Sequence, residues 1–508
     1  MRTAFSGGKV ITGTGAPADW VLVEDGLVVA VGSGEPPAAE RRVDLGGGVL
    51  APAFRDGHVH LPATGLYELG MDFRTERSVD AIVGAFAARA AGGGILFGGN
   101  FEEPLDRPID RYELDRAVGP QPALLARADM HSAVVSSALL ERLELDGLDG
   151  VDRDPHGRPT GYLRERAAAE AWRWFDASLP PDQIAAAVER AVELCYARGI
   201  AEAHEMFVVE WRGWRSCERF LETIAGFALD VRVYLGTDEV ERVHEMGFGH
   251  IGGDWFLDGS FGSHTAWLSA PYTEPTPPGS PPCGVSYRDD DELFDMFDRA
   301  QQRGMQVGVH AIGDAAISQA IRTWERVAER RGLDAVRALR HRIEHFECAD
   351  DEHIAAATRL GLAASVQPAF DRYWGGEDGL YARRLGWQRA AQMNRFGTMV
   401  AAGMVLGGGS DSTVTPLDPF LQLDSLRRHH LPGERLGPAQ ALQLMTAGPA
   451  RLAPGAARGT LAPGQRADLV LLDRDPLASE AEELLATEVL ATWIAGSKVW
   501  PRGEAEVR

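Results

Sequence analysis

The feature that most constrains the fold is a unit that recurs through the second half of the chain. Each copy has an amphipathic helical stretch, usually a glycine, a short apolar run, and a polar residue at the end of that run. The five copies are Pro181–His204, Leu293–His310, Ala315–His345, His353–Gln367 and Phe396–Asp411. Helices that alternate with short apolar strands predict a parallel sheet. The polar residue that closes each run favours an α/β fold with a closed (β/α)₈ TIM-type barrel, because the active sites of such barrels gather at the carboxyl ends of the strands.

The two ends of the chain have a different character. Residues 1–50 contain short β-like runs separated by glycine-rich turns, with a predicted hairpin at Glu24–Gly26. Leu461–Asp473 and Val489–Gly496 also have the pattern of strands. We therefore predict a small β-sandwich built from both chain ends, residues 1–50 with 455–508, beside a barrel made of residues 51–454.

Residues 62–200 alternate less regularly than the units that follow them. We interpret this region, with its apolar run Pro120–Arg127, as the second barrel strand carrying an insertion within about 62–180. Whether the insertion forms a lid over the barrel is left open.

The composition excludes several classes of partner. A formal net charge of -23 argues against a nucleic-acid or anionic-membrane surface, since both need basic patches. No run of about 18 apolar residues predicts a membrane span, and the first residues lack the apolar core of a secretory signal. The 4 cysteines have no C-x-x-C spacing and are expected to be free thiols in a reducing compartment. We expect a cytoplasmic protein.

A His-x-His pair closes the apolar run that starts at Val49. Because side chains alternate across a strand, His58 and His60 point the same way and can both reach one cation at about 2.0–2.1 Å. Three further candidates close later runs: His310, His345 and Asp411. Histidines and a carboxylate from separate strand ends form a ligand set suited to Zn²⁺ or a similar divalent ion. Such an ion lowers the pKa of bound water, and an adjacent carboxylate can move the water's proton to a leaving nitrogen.

These residues lie in motifs that resemble the amidohydrolase superfamily and, within it, the amidohydrolase-3 (YtcJ-like) branch, which includes N-substituted formamide deformylases. The motifs are Arg55–His60, Asp258–Ala266, His310–Asp314, Arg342–His345 and Gly409–Ser412. The resemblance spans nearly the whole chain and implies a metal-carrying barrel with a flanking β-sandwich that hydrolyses amide or related C–N bonds.

The resemblance also implies a role for each candidate ligand. His58 and His60 match the ligands of the first barrel strand, and His310 and His345 match those of the fifth and sixth strands. Asp411 matches the carboxylate of the eighth strand, which binds metal and acts as general base. We expect Asp411 and His345 to be the catalytic residues, with the histidine helping the metal to polarise the scissile carbonyl.

One departure from the family pattern concerns lysine. Many members carry a lysine four residues before the Asp-Gly-Ser motif, and its carbamylated form bridges two metal ions. In this chain that position is Asp254, and the only lysines are Lys9 and Lys498, both in the predicted sandwich. No carbamylated lysine is therefore expected. Asp254 is a further candidate ligand, and we favour a single ion over two ions bridged by Asp254.

Three residues are candidates for contact with substrate. His131 matches a family position that faces the substrate, although a structural role fits it equally well. His264 stands where related sequences often have arginine, with a loop position as the alternative. Trp374 belongs to an aromatic stretch after a strand end, which could wall an apolar pocket or pack the loop onto the barrel.

The sequence thus predicts a metal-dependent hydrolase of C–N bonds other than peptide bonds, acting on a small-molecule N-formyl or N-acyl amine. A mononuclear deaminase of a ring or amidine carbon is the first alternative. A barrel that has lost its metal and serves as a binding or assembly protein is the second. Whether the chain forms a homo-oligomer is open.

Overall fold

The computed structural model describes residues 1–277, 280–455 and 458–501, and strands and helices alternate along most of this length. The strands are β1 (Arg2–Val10), β2 (Ala18–Glu24), β3 (Leu27–Gly32), β4 (Arg41–Asp44), β5 (Val49–Pro52), β6 (Phe54–Val59), β7 (Met71–Asp72), β8 (Leu96–Phe101), β9 (Ala123–Arg127), β10 (Ser132–Val135), β11 (Val151–Arg153), β12 (Pro159–Arg164), β13 (Ile200–Phe207), β14 (Asp230–Leu235), β15 (His250–Ile251), β16 (Gln306–Ala311), β17 (Arg342–His345), β18 (Ala363–Val366), β19 (Val405–Gly408), β20 (Leu469–Leu472), β21 (Val489–Ile494) and β22 (Ser497–Trp500).

The α-helices are α1 (Leu61–Leu69), α2 (Val79–Ala90), α3 (Arg111–Val118), α4 (Ser137–Leu140), α5 (Glu165–Ser178), α6 (Pro181–Ala197), α7 (Val209–Arg212), α8 (Trp214–Ile224), α9 (Val240–Glu245), α10 (Asp290–Gln302), α11 (Asp314–Arg331), α12 (Leu333–Leu339), α13 (Asp351–Leu360), α14 (Pro368–Trp374), α15 (Leu380–Leu385), α16 (Trp387–Ala390), α17 (Phe396–Ala401), α18 (Pro419–Arg427), α19 (Pro438–Arg451) and α20 (Ala481–Leu485). Within the described ranges, none of these helices combines the length and the apolar character needed to cross a membrane.

Parallel strands form the centre of the molecule, in two sheets. One sheet has the order β14-β13-β6 and the other β15-β16-β17-β18-β19, and every pairing in them is parallel. The two sheets adjoin where the Gly252 amide donates to the Leu235 carbonyl at 2.9 Å. They adjoin again where Val59 forms a parallel bridge with Ser412. This arrangement is an α/β fold of the TIM-barrel type, as predicted.

The five predicted helix–strand units are present in this core. They correspond to α6 and β13, α10 and β16, α11 and β17, α13 and β18, and α17 and β19. The glycine in the unit ends the helix: Gly361 has φ 72 in the left-handed region, a conformation that glycine adopts without strain. Apolar side chains such as Val309, Ile343 and Trp324 are fully buried between the strands and the helices around them.

The region before β13 differs from its predicted structure. The apolar run Ala123–Arg127 forms β9, which belongs to a separate six-stranded sheet of order β11-β12-β10-β9-β8-β7. The strand that pairs with β6 in the central sheet is β13 instead. The interpretation of this region as the second barrel strand was therefore wrong. All five residues of β9 are buried, as in a barrel strand, so the local pattern could not identify its partners.

Strands from both ends of the chain join in one eight-stranded sheet of order β22-β21-β20-β5-β1-β2-β3, with β4 paired to β1. The predicted hairpin joins β2 to β3, with positive φ at Asp25 and Gly26. The join between the two chain ends is made by β5 and β20, which pair in antiparallel register from Val49 to Pro52. Phe5 and Trp493 meet edge to face in the core of this sheet, with ring centroids 5.2 Å apart.

Candidate metal centre and adjoining cavities

The predicted metal ligands lie together where the parallel strands end. They are His58 in β6 and His60 just after it, Asp254 after β15, His310 in β16, His345 at the end of β17 and Asp411 after β19. These side chains are buried, and the most accessible, His60, is 12% exposed. The carboxyl ends of strands far apart in the sequence thus form one cluster, as the strand-end pattern predicted.

The two carboxylates of the cluster lie between the imidazoles. Asp254 Oδ2 is 3.2 Å from Nε2 of both His58 and His60, whereas Asp254 Oδ1 is 3.5 Å from His310 Nδ1 and from His345 Nε2. Asp411 Oδ1 lies 3.1 Å from His60 Nε2 and 3.5 Å from His58 Nε2. Ligand atoms at about 2.0–2.1 Å from a tetrahedral ion are roughly 3.3 Å from one another. The separations in the cluster therefore match those of ligands around one cation.

The ring nitrogens that face away from the cluster are all held by hydrogen bonds. The acceptors are Glu344 Oε2 for His58 Nδ1 at 3.0 Å, the Met206 carbonyl for His60 Nδ1 at 2.9 Å, Gln367 Oε1 for His345 Nδ1 at 2.8 Å, and the Gly259 carbonyl for His310 Nε2 at 3.3 Å. A nitrogen that donates to these acceptors leaves the lone pair on the opposite ring nitrogen, which faces the cluster.

The atoms that face the cluster fit a divalent ion. Within the described part of the chain, the atoms that are buried without a hydrogen-bond partner include His58 Nε2, His310 Nδ1, His345 Nε2, Asp254 Oδ1 and Asp411 Oδ1. Buried polar atoms are costly unless they are partnered. A cation held by nitrogen and oxygen ligands would satisfy them together, and two ligand triads that share His58 have the required spacing.

Electrostatics inside the cluster favour bound positive charge. Burial opposes ionisation of Asp411, but the imidazoles of His58 and His60 hold its pKa well below its usual range. Burial likewise lowers the pKa of His60, yet the carboxylates of Asp254 and Asp411 outweigh it and raise that pKa to about 10. The carboxylates are therefore ionised. A metal ion that binds here would displace the proton held by the His60 imidazole.

The backbone turns sharply at both predicted catalytic residues. His345 has φ 68 and Asp411 has φ 50, in the left-handed region that side chains other than glycine rarely adopt. A regular strand would direct His345 to the side opposite Glu344, so this turn brings it into the cluster. Asp411 is held to β6, because its amide donates to the His58 carbonyl at 2.8 Å.

Two cavities open from the cluster and share a wall that contains His131, His310, His345 and Asp411. The apolar cavity, about 670 Å³, is lined mainly by apolar side chains that include Leu66, Trp172, Met206, Trp211 and Phe256. The mixed cavity, about 490 Å³, has the aromatic residues Phe370, Trp374 and Tyr381 and the charged residues Glu102, Arg127 and Glu347. A substrate whose reactive bond lies at the cluster can therefore extend into a chamber on either side.

The three predicted substrate residues fall in different places. His131 lines both cavities, and its Nδ1 donates to Glu165 at 3.0 Å. Burial lowers the pKa of His131, but the Glu165 carboxylate reverses the effect and raises it to about 9. Trp374 lines the mixed cavity. The described residues that line the two cavities do not include His264, whose ring packs on Tyr272 at 5.1 Å between centroids.

Sequence reasoning missed several residues of the site. Glu344 and Gln367 orient ligand histidines, and both belong to strand-end segments that the repeated units had already marked. Trp211 and Phe256 stack at 4.6 Å and form part of the apolar cavity. For this pair the sequence holds no comparable signal, because Trp211 lies in the short helix α7 and Phe256 lies in the separate segment that follows β15.

Comparisons with known proteins agree with this geometry. A family model described as the amidohydrolase family matches residues 41–499. The YtcJ protein of Bacillus subtilis (strain 168) is 28% identical over 99% of this chain and 100% of its own length. The N-substituted formamide deformylase of Arthrobacter pascens is 24% identical over 94% of each chain. The crystal structure of an uncharacterized metal-dependent hydrolase from Pyrococcus furiosus superposes with a TM-score of 0.73 at 27% identity, covering 94% of this chain and 100% of that chain.

Proposed function

Because the chain belongs to the amidohydrolase family, we propose that it is a metal-dependent hydrolase of C–N bonds other than peptide bonds. Its proposed substrate is an N-formyl or N-acyl amine with an apolar substituent. The observation that carries the proposal is the cluster of buried, unpartnered nitrogen and oxygen atoms, whose side chains include two triads with metal-ligand spacing. The similarity to the Arthrobacter pascens deformylase supports the choice of substrate class.

The proposed metal is Zn²⁺, held by the four clustered histidines and Asp411, with Asp254 as a further ligand. A bound divalent ion would supply a water molecule of lowered pKa as the nucleophile. One ion is the simpler arrangement. Two ions are the alternative, because the two oxygens of Asp254 face different pairs of histidines.

Three side chains at the cavity wall each have a separate role in the proposed reaction. Asp411 accepts the proton of the attacking water and returns it to the departing amine, since its carboxylate is ionised and faces both cavities. His345, as a ligand, would support polarisation of the scissile carbonyl by the metal ion. His131 is placed to donate a hydrogen bond to the substrate, because Glu165 keeps its imidazole protonated.

The cavities set the form of the substrate. The apolar substituent occupies the apolar cavity, where its burial stabilises the complex by about 25 cal/mol per Å². Trp374 contacts the other half of the substrate in the mixed cavity. His264 is proposed to act on substrate only through the loop that carries it, since it does not line either chamber.

The finer architecture belongs to the same proposal. We propose that the two parallel sheets close into one (β/α)₈ barrel within residues 51–454, and that residues 1–50 form a separate β-sandwich with the described part of 455–508. Residues 278–279, 456–457 and 502–508 lie outside the described ranges. We also propose a cytoplasmic location, for which the free thiols of the 4 cysteines are the support.

Metal content per chain, in protein purified without added metal, tests the function. The variants are Asp411→Asn and Asp254→Ala, with Asp295→Ala as the matched control because that carboxylate is 67% exposed on α10. About one Zn²⁺ that survives Asp254→Ala supports a single-ion hydrolase. Two ions, one of them lost in Asp254→Ala, support a bridge.

The products are then analysed with N-formyl and N-acyl amines. Release of formate or another carboxylic acid supports the hydrolase. Release of ammonia from an amidine or an amino-substituted ring, without turnover of the acyl amines, points to the deaminase. Absence of metal from every preparation would refute the proposal and favour a binding protein.

A further inference from the structure

A series of buried charged and polar side chains runs from His58 away from the cavities. His58 Nδ1 donates to Glu344 Oε2 at 3.0 Å, and Arg342 binds both oxygens of Glu344, at 2.5 and 2.7 Å. Arg342 Nη1 is 3.0 Å from His204 Nδ1, and His204 Nε2 is 3.2 Å from Glu202. Arg55 then joins Glu202 to Asp468, at 2.9 Å in each case. We refer to these seven residues, from His58 to Asp468, as the internal polar chain.

The internal polar chain is sealed from solvent. None of its members is more than 3% exposed, and Arg342 and Glu344 are fully buried. Barrel interiors are usually filled by apolar side chains, and a buried ion is tolerated only when it is paired and hydrogen-bonded. Charged residues in this position therefore need a reason beyond packing.

The contacts of Arg342 suggest that reason. Besides clamping Glu344, Arg342 donates through Nη2 to the Gly57 carbonyl at 2.7 Å, immediately before His58 in β6. One guanidinium thus fixes both the carboxylate that holds the His58 ring and the backbone that carries it. A planar group with five donors is suited to such a two-point contact.

We propose that Glu344 and Arg342 are positioning residues for His58, which hold its ring so that Nε2 faces the metal position. This inference rests on the proposed metal centre. Glu344 acts by accepting the Nδ1 proton, so that the lone pair lies on Nε2, and Arg342 acts by fixing the carboxylate. His204 links Arg342 to Glu202 as a neutral imidazole, Arg55 neutralises Glu202 and Asp468, and none of these four residues touches the His58 imidazole.

The test compares Glu344→Gln with Glu202→Gln. Both changes replace a buried carboxylate of the internal polar chain by a neutral amide of equal size, but only Glu344 contacts His58. Zinc affinity is measured by competition with a chelator. We expect Glu344→Gln to weaken it about 10–100-fold and Glu202→Gln to leave it within about threefold. Equal losses in the two variants, or no loss in Glu344→Gln, would overturn the proposal.

A second readout is made on the zinc-loaded protein, in which the His58 imidazole carries a single proton. Nitrogen-15 NMR of histidine-labelled protein, with the His58 signal assigned from a His58→Gln variant, reports which ring nitrogen carries the proton. We expect an Nδ1 proton in the unaltered protein and in Glu202→Gln, and its loss in Glu344→Gln. An Nδ1 proton that persists in Glu344→Gln would refute the positioning role.

The zinc measurement also separates the two proposals. Unaltered protein that binds no zinc refutes the proposed function, whereas equal zinc affinity in the unaltered protein and in Glu344→Gln refutes only the positioning role. Should Glu344→Gln fail to fold, the double variant E344Q/R342M removes both charges together and carries the same expectations.

Discussion

His341 provides a test of how the fold responds to acid. It lies between α12 and β17, fully buried, with its ring stacked on Trp324 at 3.6 Å between centroids. Its Nδ1 accepts a hydrogen bond from the Val307 amide at 3.0 Å, and its Nε2 donates to Gln301 at 2.8 Å. Burial lowers the pKa of His341 from 6.5 to about 3, because a charged imidazole would lose its hydration.

The sign of the effect follows from proton uptake. Below pH 6.5 the unfolded chain binds a proton at His341, whereas the folded protein does so only near pH 3. The contribution of the neutral imidazole is therefore complete above pH 6.5 and is lost as the pH falls towards 3. At pH 5 the free energy of unfolding is lower by about 2 kcal/mol. This pH lies about 1.5 units below the pKa of His341 in the unfolded chain, and each unit contributes about 1.36 kcal/mol. With roughly 1.1 kcal/mol/K of unfolding entropy for a chain of this size, Tm falls by about 2 °C.

The perturbation is His341→Gln, which keeps a donor and an acceptor but cannot take up the proton. At pH 7.5 the variant should be less stable, because it loses the stacking on Trp324. The gap in Tm between the two proteins should then narrow by about 2 °C at pH 5. Thermal unfolding followed by circular dichroism from pH 7.5 to pH 5 measures this gap, with His156→Gln as the control because His156 is exposed. A difference in Tm between His341→Gln and the unaltered protein that stays constant from pH 7.5 to pH 5 would refute the reasoning.

Three further predictions concern the candidate site, its apolar cavity and the internal polar chain. Asp411→Asn should lower kcat for an N-formyl amine by about 10²–10⁴ while the protein stays folded, since an amide cannot shuttle the proton; steady-state kinetics check this, and retained turnover would contradict it. Trp211→Ala should raise KM about tenfold for an N-formyl amine that carries an aromatic ring, and leave KM for N-formylmethylamine nearly unchanged, because only the larger substituent reaches this wall. Arg55→Met should cost about 1–3 kcal/mol of stability, because it removes the guanidinium that joins Glu202 to Asp468 and leaves these carboxylates with His204 and Arg466 as their side-chain partners; urea unfolding measures it, and a change below about 0.5 kcal/mol would contradict the argument.

The parts of the fold that the sequence predicted are those with local signals. The repeated units are recognisable because helical spacing, usually a terminal glycine, and a short apolar run occur within about 30 residues of one another. The insertion was misread because β9 is buried along its whole length and resembles a barrel strand. Its true partners, β8 and β10, are a property of pairing and not of local composition.

The residues of the candidate site also differ in whether a local sequence pattern marks them. The clustering of His58, His60, His310, His345 and Asp411 could be predicted because each closes an apolar run, and parallel strands bring such ends together. Glu344 could not be assigned a role, because its partner His58 is 286 residues away in the chain. The cavity walls could not be predicted either, since the stacking of Trp211 on Phe256 depends on how α7 packs against the segment after β15.

The pairing of β5 with β20 has a consequence for the time course of synthesis. β5 has β1 on one edge, but its other edge is completed only by Leu469–Leu472, about 400 residues later. At roughly 5–20 residues per second, a ribosome needs on the order of 20–80 s to make that stretch. During this interval the nascent chain carries an apolar strand with an open edge, which is a site for chaperone binding or for pairing with a neighbouring chain on the same messenger.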